Sequence, residues 1–209
     1  MNTPAKKATR GRSEEKRQQI IRAASHLFTE QGYLSTSMDQ VAEAAGVSKQ
    51  TVYSHFGAKD DLFRFCVEDR CIANAMNDEV LNDKAPLRDV LVRFAQHFQE
   101  LIQSREAVQL CRLCAANAEI HPEISQMFFA AGPAQVELTL QRFLARKVTQ
   151  GELCCDDVAM AADQLLSLMK TNDHFRALIG LPAQSTESEL QRYIERSVDM
   201  FLALYGARA

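Results

Sequence analysis

Glycine and proline are scarce, with 8 and 5 residues in 209. So few breakers argue against a turn-rich β architecture and for long helices. Runs of β-branched residues with period-two alternation are also missing. Leu, Ala, Gln, Glu, Arg and Met dominate instead, and all are good helix formers. No apolar run approaches the roughly 20 residues that span a bilayer. The opening stretch MNTPAKKATRGRSEEKRQQ is basic and polar with no apolar core behind it, so a signal peptide is not expected. A cytoplasmic location is expected, where the six cysteines would stand as thiols rather than disulfides. Enzyme signatures are lacking as well: no nucleophile on an elbow, no glycine-rich phosphate loop, no conspicuous carboxylate pair. No catalytic residue, resident metal or cofactor is expected.

Charge is present but uneven. Residues 1–60 hold nine Lys/Arg against six Asp/Glu, a balance of +3, and the rest hold fifteen against twenty-one, a balance of −6. A basic front on an acidic body points to a polyanionic partner at one end. Residues 1–12 read as a basic, flexible arm. Ser13 is a plausible N-cap for a first helix reaching about Glu30, its inner face carrying Ile20, Ile21, Ala24, Leu27 and Phe28. Ser37 with Gln40 forms a capping box for a second helix, which Gly46 ends. Ser48 caps a short third helix, and Gly57 closes it. A fourth helix is expected over 59–81. Further helices are expected at about 86–104, 106–118, 122–150, 156–172 and 186–205, with Gly132-Pro133 kinking or splitting the third of these. The fold class is all-α.

The stretch AGVSKQTVYSHFGAKDDLF carries the main functional signal. Two short helices joined by a tight glycine turn, the second polar outside, describe a helix-turn-helix. Such a second helix fits the major groove of B-DNA. Lys49, Gln50, Thr51 and Tyr53 have base-reading chemistry: Lys reaches guanine acceptors, Gln pairs with adenine, and Thr offers a hydroxyl or a methyl. Thr36, Ser37, Ser48, His55 and Lys59 flank the unit and suit phosphate contacts, partly through helix N-terminal amides. The bland alternative is a polar helix face that is merely solvated.

Residues 20–63, IIRAASHLFTEQGYLSTSMDQVAEAAGVSKQTVYSHFGAKDDLF, resemble the DNA-binding domain of the tetracycline-repressor (TetR) family. The likeness lies in Gly32-Tyr33, Thr36-Ser37-Met38, Val41-Ala42, Ala45-Gly46-Val47-Ser48, Tyr53, His55, Phe56, Lys59 and Leu62. The segments EIHPEISQMFFAAGPAQVELTLQRFL and GEL further resemble the effector domain of its AefR-like branch. The resemblance implies a homodimer that binds an operator through one domain and a small-molecule effector through a larger helical one. The expected domains are then 13–58 for the helix-turn-helix and 59–209 for ligand binding and dimerisation, with 59–81 as the connecting helix. It also implies a transcriptional repressor, bound to a palindromic operator and released by a small, largely apolar effector.

An apolar pocket with a few inward polar groups would serve such an effector. The candidates are Phe94, His97, Phe98, Leu101, Gln109, Asn117, Met127, Phe128, Met169, Asn172 and Phe175, with His121 and His174 as further polar groups. The terminal segment TESELQRYIERSVDMFLALYG shows a broad apolar stripe. Leu190, Tyr193, Ile194, Val198, Phe201, Leu202 and Tyr205, with Leu165 on the helix before, are expected at the dimer interface, unless the stripe packs only within one chain. Cys111 and Cys114 form a CxxC and Cys154 and Cys155 are adjacent. A thiol- or metal-responsive regulator is therefore the competing reading, with His121 as a possible third ligand.

Overall fold

In a computed structural model, backbone is described for residues 4–73, 76, 78–81 and 85–207, and side chains for those beyond residue 12 except 78 and 79. The described residues form α-helices joined by short turns, with a lone antiparallel bridge between Leu153 and Gly206. They make two compact units. The first comprises residues 1–69 and 113–131, the second residues 70–112 and 132–209. The division therefore does not fall at 58/59, where the sequence pattern puts it.

The first unit holds α1 (Pro4–Ser35), α2 (Met38–Ala45), α3 (Lys49–Phe56), most of α4 (Lys59–Ala73), the end of α7 (Arg105–Asn117) and α8 (Pro122–Ala131). Helix α1 starts at Pro4, so residues 4–12, expected as an arm, have helical backbone. Residues 1–3 of that arm lie outside the described residues. Gly32 (φ 84, ψ 165) breaks α1 near its end, and a Cβ there would stand 3.2 Å from Leu113. Ile20, Ile21, Ala24 and Phe28 from α1 are buried, as are Val41, Val52, Leu62 and Phe63 from α2, α3 and α4. Phe63 stands edge-on to both Phe28 and Tyr33, at ring separations of 5.3 and 5.1 Å. Burial of each of these side chains larger than alanine contributes about 1.5–3 kcal/mol. The inward faces of α4, Leu62, Phe63, Cys66 and Val67, close this core, which is why α4 belongs with the N-terminal helices.

The expected 59–81 helix is shorter. Helix α4 ends at Ala73, and the Met76 N–H bonds back five residues to Cys71 O, a wider turn than the helical ladder allows. A short α5 (Asp78–Leu81) follows.

The second unit packs α6 (Leu87–Gln103), the start of α7, α9 (Pro133–Thr149), α10 (Val158–Leu168), α11 (Asn172–Leu178) and α12 (Glu187–Tyr205). Gly132-Pro133 splits the 122–150 segment as expected, with Pro133 opening α9. The expected 156–172 helix is shorter: α10 stops at Leu168, and the Thr171 hydroxyl accepts from His174 N (3.4 Å) to start α11. Phe94, Leu140, Phe143, Leu165, Ile194 and Val198 form the centre of this core. Ala161 and Ala162 let α10 approach its neighbours closely. Thr186 and Glu189 make the capping box that opens α12.

Candidate functional site

The helix-turn-helix is fixed by its caps. The Ser37 hydroxyl accepts from Gln40 N (3.2 Å) while the Gln40 side chain accepts from Ser37 N (2.8 Å), which orients α2. Gly46 (φ 65, ψ 32) then ends α2 in the left-handed region, and Val47 N donates to Ala42 O at 3.0 Å. Two residues on, the Ser48 hydroxyl accepts from Thr51 N (3.2 Å) to start α3. Val52 and Phe56 are buried beneath α3, and this roots the helix by its inner side. Its outer side is polar and exposed: Lys49, Gln50, Tyr53 and Ser54, with Thr51 half-buried beside them.

The four expected base-reading residues thus share one helix, three of them on open surface. Lys49 forms an ion pair with Asp39 at 2.7 Å, and its ammonium sits 5.9 Å from the Tyr53 ring centroid. The hydrogen bond it donates to Asp39 raises the Lys49 pKa above its ordinary value, so the residue is a firm cation.

The expected phosphate-contact set divides. Ser37 and Ser48 lie exposed at helix starts, and His55 is half-buried at the end of α3. Thr36 is only 2% exposed, and its hydroxyl donates inward to Gly32 O at 2.8 Å. Lys59 is half-buried too, its ammonium on two backbone carbonyls. Sequence pattern gave no sign of either, because Lys59 is turned inward by a tertiary contact and Thr36 by the backbone break at Gly32.

The expected pocket residues divide between the two units. Asn117, Met127 and Phe128 belong to the first unit and the other eight to the second. Phe94, Phe98, Leu101 and Met169 are core, whereas Asn172 and Phe175 are exposed. Of the set, only His97 lines the open cleft of about 750 Å³ between α6 and α12. Leu190 and Ile194 give that cleft an apolar floor, and Gln96, Gln103, Gln191 and Glu100 give it polar sides. Gln99, fully buried on an otherwise apolar face of α6, donates to Met169 O and accepts from Gln103 Nε2 (2.6 Å). Sequence reasoning missed it; the signal was a Gln between Phe98 and Leu101. Two buried acceptors in this unit have no protein partner, Gln109 Oε1 and His174 Nδ1. His174 shares a hydrogen bond with the Ile102 backbone, and burial lowers its pKa, so the ring is held neutral. His121, the other added candidate, bonds Glu123 at 2.9 Å in the first unit.

The expected dimer stripe is mostly monomer core. Leu165, Ile194, Val198 and Phe201 are buried, and Leu190, Leu202 and Tyr205 pack against them. Tyr193 alone of the set is exposed. The apolar side chains that face outward on α10 and α12 are Met160, Tyr193, Met200 and Leu204, between 43% and 68% exposed. A wide apolar arc has a centre that faces its own core and an edge that does not, and the pattern alone does not separate them.

None of the six cysteines forms a disulfide. Burial pushes Cys66 up to about 12 and raises Cys114 and Cys155. Among the described residues no group of three or more His, Cys, Asp or Glu is placed to hold a metal ion, His121 included. No described helix is long and apolar enough to cross a membrane.

Comparison with known proteins agrees with this geometry. Residues 89–207 match the family described as AefR-like transcriptional repressor, C-terminal domain, and residues 20–65 match bacterial regulatory proteins, tetR family. The solved structure of the flavonoid-responsive regulator FrrA is 33% identical over 94% of this chain and 100% of its own, with a TM-score of 0.74. The transcriptional regulator HbdR of Aromatoleum sp. (strain CIB) is 53% identical over 49 residues, 23% of this chain and 21% of HbdR. The transcriptional repressor ComR of Escherichia coli (strain K12) is 26% identical over 158 residues, 73% of this chain and 75% of ComR. The matches to the first curated relatives span only 21–26% of those proteins' length. With a helix-turn-helix in front and an AefR-like domain behind, the chain belongs to the TetR family of transcriptional regulators, DNA-binding proteins rather than enzymes.

Proposed function

We propose that this regulator is a homodimeric repressor that binds a palindromic operator in the cytoplasm and leaves it when a small organic effector binds the second unit. The observation that carries the reading is the outer face of α3. Lys49, Gln50 and Tyr53 lie exposed on a helix rooted by Val52 and Phe56, so they can reach base edges, Lys49 by exchanging its Asp39 partner. Ser37, Ser48 and His55 remain the candidates for phosphate contacts.

The exposed edge of α10 and α12 supports dimerisation, since Met160, Tyr193, Met200 and Leu204 are costly to leave in water. Two-fold pairing would set the two α3 helices against half-sites one DNA turn, about 34–36 Å, apart. An effector that prefers a differently spaced form would empty the operator, and near-complete release needs about 5.5 kcal/mol of differential affinity.

The polar sides of the α6–α12 cleft and the two unpartnered acceptors of Gln109 and His174 favour an effector with an apolar body and hydrogen-bond donors. FrrA responds to flavonoids, which have that character. Burial counts against Cys66, Cys114 and Cys155 as reactive thiols, so the thiol-responsive alternative rests on the other three, of which Cys154 is exposed.

The test is selection of a duplex by the purified protein from a random pool, followed by titration of that complex with the hydroxylated flavanone naringenin. Release of the duplex at micromolar naringenin, weakened in Gln109→Leu and His174→Phe, is expected. Release by peroxide, abolished by Cys-to-Ser changes, with no response to naringenin, would favour the thiol reading.

A further inference from the structure

Two short relays of glutamine side chains border the α6–α12 cleft. In the first, Gln103 Nε2 donates to Gln99 Oε1 at 2.6 Å, and Gln99 Nε2 donates to Met169 O. In the second, Gln96 Nε2 donates to Gln191 Oε1 at 2.7 Å, and Gln191 Nε2 donates to Glu195 Oε1 at 2.6 Å. Gln96, Gln99, Gln103 and Gln191 all line the cleft.

The last member of each relay forces its direction. A backbone carbonyl and a carboxylate accept hydrogen bonds but cannot donate them. Each glutamine must therefore turn its N–H toward the acceptor ahead and its oxygen toward the donor behind. The first glutamine of each relay is left with an amide oxygen that has no donor among the described residues, Gln103 Oε1 in one and Gln96 Oε1 in the other. Bonds in such a chain polarise one another, which strengthens both oxygens as acceptors.

Gln96 and Gln103 stand seven residues apart on α6, two turns along one face, or about 10 Å. Leu190 and Ile194 give the cleft its apolar floor. Glu100 and Glu187 also line it, and no lysine or arginine does among the described residues. An anion finds no cationic partner there, and an ammonium would lose hydration over the apolar floor.

We propose that this cleft takes an elongated, uncharged molecule with an apolar body and a hydroxyl at each end, one donating to Gln96 Oε1 and the other to Gln103 Oε1. The seven-residue interval sets the spacing it accepts. This deepens the effector reading and rests on it only for the identity of this ligand with the effector.

The probe is 4,4′-dihydroxybiphenyl, a rigid apolar body of matching length with a hydroxyl at each end. It is compared with 4-hydroxybiphenyl, which has one hydroxyl, and with 4,4′-bis(aminomethyl)biphenyl, a dication. Calorimetry on the DNA-free full chain gives the affinities for the unaltered protein, Gln96→Met and Gln103→Met. The unaltered protein is expected to prefer the diphenol to the monophenol about fivefold, the scale of one neutral hydrogen bond. In either variant one acceptor remains, and the preference is expected to fall toward one. The same preference in all three proteins, no binding of the diphenol to the unaltered protein, or tighter binding of the dication would each overturn the proposal. Titration of the duplex complex separates the two readings. Glutamine-dependent binding of the diphenol without release of the duplex upholds the site and contradicts the effector reading. Release by naringenin that both variants leave unchanged, with no preference for the diphenol, upholds the effector reading and overturns the site.

Discussion

Lys49 and Asp39, on the first turns of α3 and α2, form an ion pair at 2.7 Å on the face that carries the base-reading residues. Lys49 must exchange this carboxylate for a base edge or keep it as a brace while Gln50 and Tyr53 read. Asp39 also adds negative charge beside incoming phosphates. Asp39→Asn is expected to tighten binding to any duplex by roughly two- to tenfold at low salt, with a smaller gain at high salt. Fluorescence anisotropy with selected and scrambled duplexes measures both.

Gly46 tests the turn. Its φ of 65 is strained for a residue with a side chain, yet a Cβ there meets nothing within 4 Å. The cost of Gly46→Ala is therefore conformational alone, about 1–2 kcal/mol. Gly46→Asn is expected to cost less, because asparagine tolerates the left-handed region. Thermal unfolding of the two variants gives the order.

The edge and the centre of the α12 stripe are expected to separate under mutation. Leu165→Ala, at a fully buried position, is expected to lose about 2–5 kcal/mol of stability. Met200→Glu with Leu204→Glu is expected to leave the helical circular dichroism intact and shift sedimentation from dimer to monomer. A pair of variants that stayed dimeric would place the interface elsewhere.

Acidification is expected to weaken the second unit. Burial lowers the His174 pKa in the fold, so below the unfolded value of about 6.5 the unfolded chain takes up a proton that the folded one resists. The associated stability is full above that pH and is lost as pH falls through about 6.5 toward 5. Tm measured from pH 7.5 to 5 is expected to fall, and His174→Gln to flatten the decline.

These cases show what the sequence made legible. Ser37 with Gln40, Gly46, Ser48, Pro133 and Thr186 with Glu189 act through neighbours within four residues, so local pattern located each. Helix α11 escaped because it is seven residues long and its Phe175 faces out. Thr36 and Lys59 look like surface groups in sequence; contacts with Gly32, Tyr33 and each other's turn draw them inward. The pocket set draws on both units for a related reason: periodicity tells which face of a helix is apolar, not which other helix it meets.

The most direct measurement concerns the outer side of α3. The unaltered protein and a Lys49→Ala, Gln50→Ala, Tyr53→Ala triple variant are titrated with the selected duplex and with a scrambled duplex at the same salt. The expected result is that the ratio of the two affinities collapses toward one in the variant while weak binding to both duplexes persists. A variant that kept the full ratio would contradict the account, because the bases would then be read from somewhere else.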